Sequence, residues 1–226
     1  LGPAFLKVYE SIYRRRLASS FHALATTLAE RLKSVKSGKF ASVATDEDVS
    51  DDVSEDEAMD TEDAQKLERQ ALVTEEATTI EGLLADVKKL PVDTKAQVLL
   101  TQLNGLIEAE YFQVIVFTQY TATLDFLKQY LVDHDFRVLC FSGNGGETYS
   151  LQGKWLPESR EKIKRLFRSG EADVLIATDA AAEGLNFQFC GALINYDMPW
   201  NPMRVEQRIG RIDRLGQKFE DIRIIN

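Results

Sequence analysis

Three arginines, Arg208, Arg211 and Arg214, stand at three-residue intervals in the run QRIGRIDRLGQ at residues 207–217. On a helix that spacing aims side chains along one face. The run therefore predicts a row of guanidinium groups on a helix from about Met203 to Ile212. Gly210 interrupts that helix at a cost of up to about 1 kcal/mol against alanine. An ordinary basic surface helix has no use for the glycine. A site that neutralises a transferring phosphoryl group does have a use for the arginines, because fixed cations aimed at developing charge lower the barrier. The helix reads as half of a nucleotide site.

Other polar groups stand where apolar runs end. Thr118-Gln119-Tyr120 closes the run from Val114, and its hydroxyl and amide can donate to a phosphate at a strand-to-helix turn. Ordinary turn chemistry is the alternative there. Ser142-Gly143-Asn144-Gly145-Gly146 follows a second run, and its glycines allow close backbone approach, either as a phosphate nest or as a structural excursion. Thr178-Asp179-Ala180-Ala181-Ala182-Glu183-Gly184-Leu185-Asn186 closes a third. There the Thr178 hydroxyl can reach a backbone phosphate, the alanines leave room, and Gly184 bends the chain towards the nucleotide. Thr118, Gln119, Ser142, Gly143, Thr178 and Asp179 form the candidate nucleic-acid set. Glu183 can hold Arg208 or Arg211 by a charge-assisted bond.

The elements that must carry these groups alternate. Residues 114–118, 137–141, 173–178, 192–196 and 222–225 are short continuous apolar runs, and helical patterns fall at 95–108, 122–133, 157–168 and 203–212. Alternating strand and helix predicts a parallel sheet covered on both faces, with ligands outside the carboxyl ends of the strands. Upstream, apolar residues recur at helical steps over 4–35, broken by the basic cluster Arg14-Arg15-Arg16. A basic cluster can touch phosphate or form a solvated face. A second helix is predicted over 64–89, ahead of Pro91, to pack on the first as a hairpin.

The net charge of −9 is the property of one segment: residues 41–65 hold eleven Asp or Glu and no Lys or Arg, which leaves the remainder at +2. Such a block cannot bury enough apolar surface to offset its ordering entropy, so a disordered insertion is predicted. It acts either as a solvated linker or as an electrostatic decoy for basic surface. Cys140 and Cys190 lack partners at ligand spacing and read as buried thiols, not zinc ligands or a disulfide framework. No signal peptide or spanning apolar stretch is present in the sequence, so an intracellular protein with no membrane partner is expected.

With Asp197, Trp200-Asn201-Pro202 and the closing Arg214-Leu215-Gly216-Gln217 added, residues 92–226 resemble the second RecA-like lobe of superfamily-two helicases and translocases. Within these they resemble the Swi/Snf (sucrose-nonfermenting) type, in its RapA-like branch. The resemblance is weaker over residues 5–35, and a longer stretch at 147–156 departs from the family's short connection. It implies an α/β fold of P-loop NTPase type with an N-terminal helical extension. The expected organisation is a first protrusion helix in 1–40, the acidic insertion at 41–65, a second protrusion helix in 66–91 and the lobe at 92–226.

The same resemblance makes Arg211 and Arg214 arginine fingers, with Gln207 sensing the γ-phosphate or its attacking water. It puts Asn186 at the ATP ribose and groups Gly184, Glu183 and Arg208 with the nucleotide, Arg208 chiefly as a brace. ATP with Mg²⁺ is the implied cofactor, the magnesium ligands lying on an absent first lobe. No G-x-x-x-x-G-K-[ST] string occurs in the 226 residues, and Asp56-Glu57-Ala58-Met59 lacks the apolar strand that would aim it at magnesium. The chain alone is thus expected not to turn over ATP. The implied function is that of one lobe of a double-stranded DNA translocase that displaces bound proteins. Its partners would be the first lobe, the duplex backbone and a nucleoprotein or polymerase target. A bacterial cytoplasm is the expected location, or a nucleus if the protein is eukaryotic. A strand-separating helicase on DNA or RNA, and a non-catalytic partner-binding lobe, are the alternatives.

Overall fold

A computed structural model describes residues 3–37, 63–182 and 186–226, which fall into two compact units, 1–91 and 92–226. The acidic tract expected at 41–65 lies outside the described residues up to 62, and its last three residues belong to the helix Asp63–Val87.

The first unit is helical: α1 (Pro3–Ser19), α2 (Phe21–Ser37) and α3 (Asp63–Val87). The periodicity over 4–35 predicts one helix, but there are two. Ser20 ends the first and caps the second, its hydroxyl accepting from the Ala23 N–H at 3.0 Å, as an N-cap serine does. α2 buries Ala23, Thr27, Leu28, Arg31 and Val35 along one stripe, and Arg31 and Lys36 pair with Glu76 and Glu81 of α3. The Arg14-Arg15-Arg16 cluster divides. Arg14 pairs with Glu10 one turn back, Arg15 donates to Ser11, and Arg16 is buried.

The second unit is built on a seven-stranded sheet. Its elements are α4 (Thr94–Glu108), β1 (Val114–Thr118), α5 (Thr121–Val132), β2 (Val138–Ser142), β3 (Gly145–Tyr149), β4 (Trp155–Glu158), α6 (Arg160–Arg168), β5 (Val174–Thr178), α7 (Asp179–Ala182), β6 (Ala192–Asn195), α8 (Pro202–Ile209) and β7 (Arg223–Ile225). Strand order is β4-β3-β2-β5-β1-β6-β7. Neighbouring strands from β2 to β7 pair parallel, while β3 and β4 pair antiparallel on the β2 edge.

That antiparallel hairpin departs from the all-parallel expectation. Ser142 pairs with Gly145, so Gly143-Asn144 is a two-residue turn, and Gly145 takes φ +112°. Residues 145–149 and 155–158, expected as a loop and the start of a helix, are strands. Gly146 serves packing: a Cβ there would stand 2.9 Å from the Glu158 carbonyl oxygen and 2.4 Å from Ile163 Cγ1.

The strands are apolar on both faces because both are covered. Val114, Val116, Val138, Cys140, Val174 and Ile176 face α4 and α5, whose Leu99, Leu103, Leu124 and Leu127 complete one core. The alternate residues Ile115, Phe117, Leu139, Phe141, Leu175 and Leu193 meet Ile163 and Phe167 of α6, with Phe187, Phe189 and Ile212, in the other. Each fully buried leucine or phenylalanine contributes about 1.5–3 kcal/mol over its exposed state. The two cores hold the carboxyl ends of β1, β2, β5 and β6 along one edge, where the polar runs of the sequence fall.

Candidate nucleotide and nucleic-acid site

Parallel pairing sets Thr118 beside Thr178 and Phe117 beside Asn195, so β1, β5 and β6 deliver their last residues together. Arg208 comes to this edge from α8. Asn201 starts that helix as its N-cap, accepting from the Met203 N–H at 3.0 Å, and Pro202 follows where its missing N–H costs nothing. Arg208 is 2% exposed. Its Nε and Nη2 donate to the two carboxylate oxygens of Asp179 at 2.5 and 2.7 Å, and its Nη1 donates to Asn195 Oδ1 at 2.8 Å and the Asp197 carbonyl at 2.7 Å. The guanidinium also lies 5.1 Å from the centre of the Phe117 ring. A bidentate carboxylate and two further acceptors fit the fork of an arginine and not the point charge of a lysine.

Asp197 is the second hub, itself buried. Its carboxylate accepts from the Thr118 hydroxyl at 2.6 Å, the Gln119 N–H at 3.1 Å and the Lys95 Nζ at 2.7 Å. Lys95 also stands 4.3 Å from the centre of the Tyr196 ring. It lies in the first turn of α4, whose N-cap Asp93 accepts from its N–H at 2.9 Å. Tyr196 is buried with its hydroxyl unpartnered, and burial, with Asp93 and Asp197 nearby, pushes its pKa up.

Three expectations change. Arg208, grouped with the nucleotide contacts though chiefly as a brace, has its guanidinium occupied inside the lobe. The residue that holds it is Asp179, expected at nucleic acid; its carboxylate is engaged by Arg208 and stands 3.9 Å from Arg204, and as an anion it offers a phosphate no donor. Thr118 is fully buried and its hydroxyl is given to Asp197, so it does not face a ligand. Gln119 and Ser142 are half-buried and Gly143 is exposed; Thr178 is buried.

The arginine row also changes. α8 ends at Ile209 and Gly210 is its C-cap, with further turns carrying the chain through Ile212. Arg208 alone of the three is on the helix. Gly210 is therefore not a glycine within a helix but the point where the chain leaves it: a Cβ would lie 3.3 Å from the Glu206 carbonyl oxygen. Arg211 is half-buried, while Gln207 and Arg214 are exposed. The Arg211 carbonyl accepts from the Phe187 N–H at 2.8 Å, which ties the arginine turn to the segment beginning at Asn186. Asn186 bonds Gln188 twice, through the Gln188 N–H and side-chain amide. Glu183 and Gly184 lie outside the described residues.

Two groups thus form. Arg211 and Arg214 share the irregular stretch after α8, and Asn186 adjoins it through the bond from the Phe187 N–H to the Arg211 carbonyl, while Gln119, Thr178, Asp179 and Arg208 share the carboxyl edge. Asn195, Asp197 and Lys95 join the second group, and of these the family resemblance marks Asp197 alone. The sequence signals for them were the Asp93 cap ahead of Lys95 and the polar pair Asn195 and Asp197 at the end of an apolar run. Among the described residues no group of three or more His, Cys, Asp and Glu is placed to hold a metal ion, and no helix is long and apolar enough to cross a membrane.

The family model of the helicase conserved C-terminal domain matches residues 94–216. The uncharacterized ATP-dependent helicase YqhH of Bacillus subtilis is 41% identical over 159 residues, 70% of this chain and 26% of that protein. The RNA polymerase-associated protein RapA of Vibrio cholerae is 49% identical over 61 residues, 26% of this chain and 6% of that protein. Among solved structures, the Pyrococcus furiosus Hef helicase domain superposes with a TM-score of 0.51 at 20% identity, over 91% of this chain and 36% of that one, a likeness of fold. The chain spans about a quarter of YqhH and a small fraction of RapA.

Proposed function

The chain belongs to the helicase conserved C-terminal domain family, and from that premise we propose that it is the second motor lobe of an ATP-dependent translocase. In this reading the motor moves on double-stranded DNA and displaces bound proteins. The observation that carries the reading is the division among the three arginines: Arg208 is locked to Asp179, Asn195 and Asp197, while Arg214, six residues on, is at the surface. The brace fixes the end of α8, the point from which the turn bearing the exposed guanidinium departs. Similarity to RapA over 61 residues supports the Swi/Snf type, and similarity to bacterial proteins supports a bacterial cytoplasm.

ATP with Mg²⁺, held on a first lobe, supplies the phosphoryl group whose transfer drives the motor. Arg211 and Arg214 project towards that lobe and stabilise the charge that develops on the transferred group, with Gln207 beside them to orient water. Asn186 holds the ribose. Gln119, Ser142, Gly143 and Thr178 form the side that meets the nucleic-acid backbone. Closure of the lobes brings fingers and phosphate together, and opening releases product.

The test uses the complete protein with its first lobe. Arg211→Ala and Arg214→Ala are each expected to lower DNA-stimulated ATP turnover by about 10³ to 10⁵, with ATP binding largely kept. Turnover within a few-fold of wild type in both variants would refute the reading. The substrate is tested by strand separation: a duplex unwound by the complete protein would favour the strand-separating helicase over the translocase.

A further inference from the structure

The stretch that carries Arg211 and Arg214 has no regular structure from Gly210 to Ile222, so something else must fix it. On its inner side Ile212 is fully buried in the second core. On its outer side is Gln217, whose amide makes four bonds. Its Nε2 donates to the carbonyls of Cys190 at 3.0 Å and Ile212 at 2.8 Å, and its Oε1 accepts from the N–H groups of Lys218 at 2.6 Å and Phe219 at 3.1 Å. Its own N–H donates to the Arg214 carbonyl at 3.0 Å. Every hydrogen-bonding capacity of the side chain is used, and the partners fix which end is donor and which acceptor. Around it the fit is close. Gly216 takes φ +89°, and the Phe219 ring stacks on Tyr111 with centroids 5.3 Å apart.

We infer that Gln217 is a positioning residue for Arg214: it pins the turn after Ile212 to the strand entrance at Cys190 and so sets where the exposed guanidinium stands. The inference rests on the arginine-finger reading above. Arg214 itself has one further restraint, its Nε donating to the Gly210 carbonyl at 2.6 Å. That bond fixes the side chain relative to α8 only if the intervening turn is held. Ile212 anchors the start of the turn; Gln217 closes its end. A finger displaced by about 1 Å loses on the order of 10² in rate, because the charge no longer meets the transition state.

The experiment is a double-mutant cycle in the complete protein. Gln217→Met keeps the volume and removes all four side-chain bonds, and Gln217→Ala is the second variant. Both are expected to lower DNA-stimulated kcat about 10²-fold while leaving KM for ATP and DNA affinity within about twofold. In an Arg214→Ala background, Gln217→Met is expected to change kcat by less than about twofold, since the group it positions is gone, while its lowering of Tm persists.

If Arg214→Ala is slow and Gln217→Met turns over as wild type, the positioning role is wrong and the finger reading stands. Multiplicative losses in the double variant would also overturn the role, because Gln217 would then act by another route. Wild-type turnover in Arg214→Ala would remove the finger reading and this inference with it. Failure of both Gln217 variants to fold would make the residue one the fold needs and overturn a positioning role.

Discussion

Arg208 donates four hydrogen bonds from a side chain that is 2% exposed, so its removal strips the Asp179 carboxylate of its bidentate partner, leaving Arg204 at 3.9 Å, and takes a donor from the Asn195 and Asp197 oxygens. Arg208→Ala is expected to cost about 3 kcal/mol in chemical denaturation, at the lower end for a broken buried pair because Asp179 keeps 19% of its side chain exposed. Arg208→Lys restores the charge without the fork and should recover only part. A loss below about 0.5 kcal/mol for the alanine variant would mean that the network does not persist in solution. The cysteines give a pH test. Burial pushes the Cys190 thiol from the usual 9.0 up to about 12, and raises Cys140 by the same cause. With the folded value above the unfolded one, the stability contribution is complete below pH 9 and is lost as pH rises towards 12. Denaturant midpoints should therefore fall across that window, and a thiol reagent at neutral pH should label the protein only on unfolding. Rapid labelling of the native chain would contradict the burial of both.

Helix α8 and the turn after it depend on different devices. At its start the helix relies on the Asn201 cap, and Asn201→Ala should cost about 1 kcal/mol, read from the shift in denaturation midpoint. Beyond it, the chain passes Gly191 so closely that a Cβ there would stand 2.5 Å from the Phe219 ring. Because that ring is stacked on Tyr111, Gly191→Ala should cost about 1–3 kcal/mol by overpacking, measured by thermal unfolding. An unchanged Tm would show that Phe219 does not occupy this place. The β3–β4 hairpin is a further lesson in how elements are read. Apolar strands over 114–118 and 173–178 announce themselves by composition, but β3 is GGETY, which carries no hydrophobic signature. The signal available was the Gly143-Asn144 pair, a hairpin turn by residue type.

At the scale of the whole molecule, the proposed reading has phosphoryl transfer draw on a phosphate-binding loop, and no G-x-x-x-x-G-K-[ST] string occurs in the 226 residues. The 226 residues alone are expected to show no ATP hydrolysis above background, and a first lobe carrying a phosphate-binding loop, supplied in cis or in trans, should restore it with dependence on DNA. Turnover by the isolated chain would mean that its active centre is not shared. Nucleic-acid affinity should fall steeply with salt, because contacts to phosphate release counterions. The two compact units give this test a natural control: residues 92–226 hold every candidate site residue, so changes in α1 to α3 should leave the response of ATP turnover to Arg214→Ala unaltered.

The sequence by itself determined the α/β class, because runs buried on both faces must be continuously apolar and helices must alternate with them to cover both. It also determined where the candidate polar groups collect, since polar groups at the ends of such strands have only one edge to occupy. Only the tertiary structure decided that Arg208, a brace by resemblance, is the arginine of the three whose guanidinium is occupied within the lobe. That choice depends on Asp179, Asn195 and Asp197, which lie 29, 13 and 11 residues from Arg208 along the chain and come together only because β1, β5 and β6 end side by side. Local spacing predicted one helical face for the arginines; the buried carboxylate and the C-cap at Gly210 separated one of them from the other two.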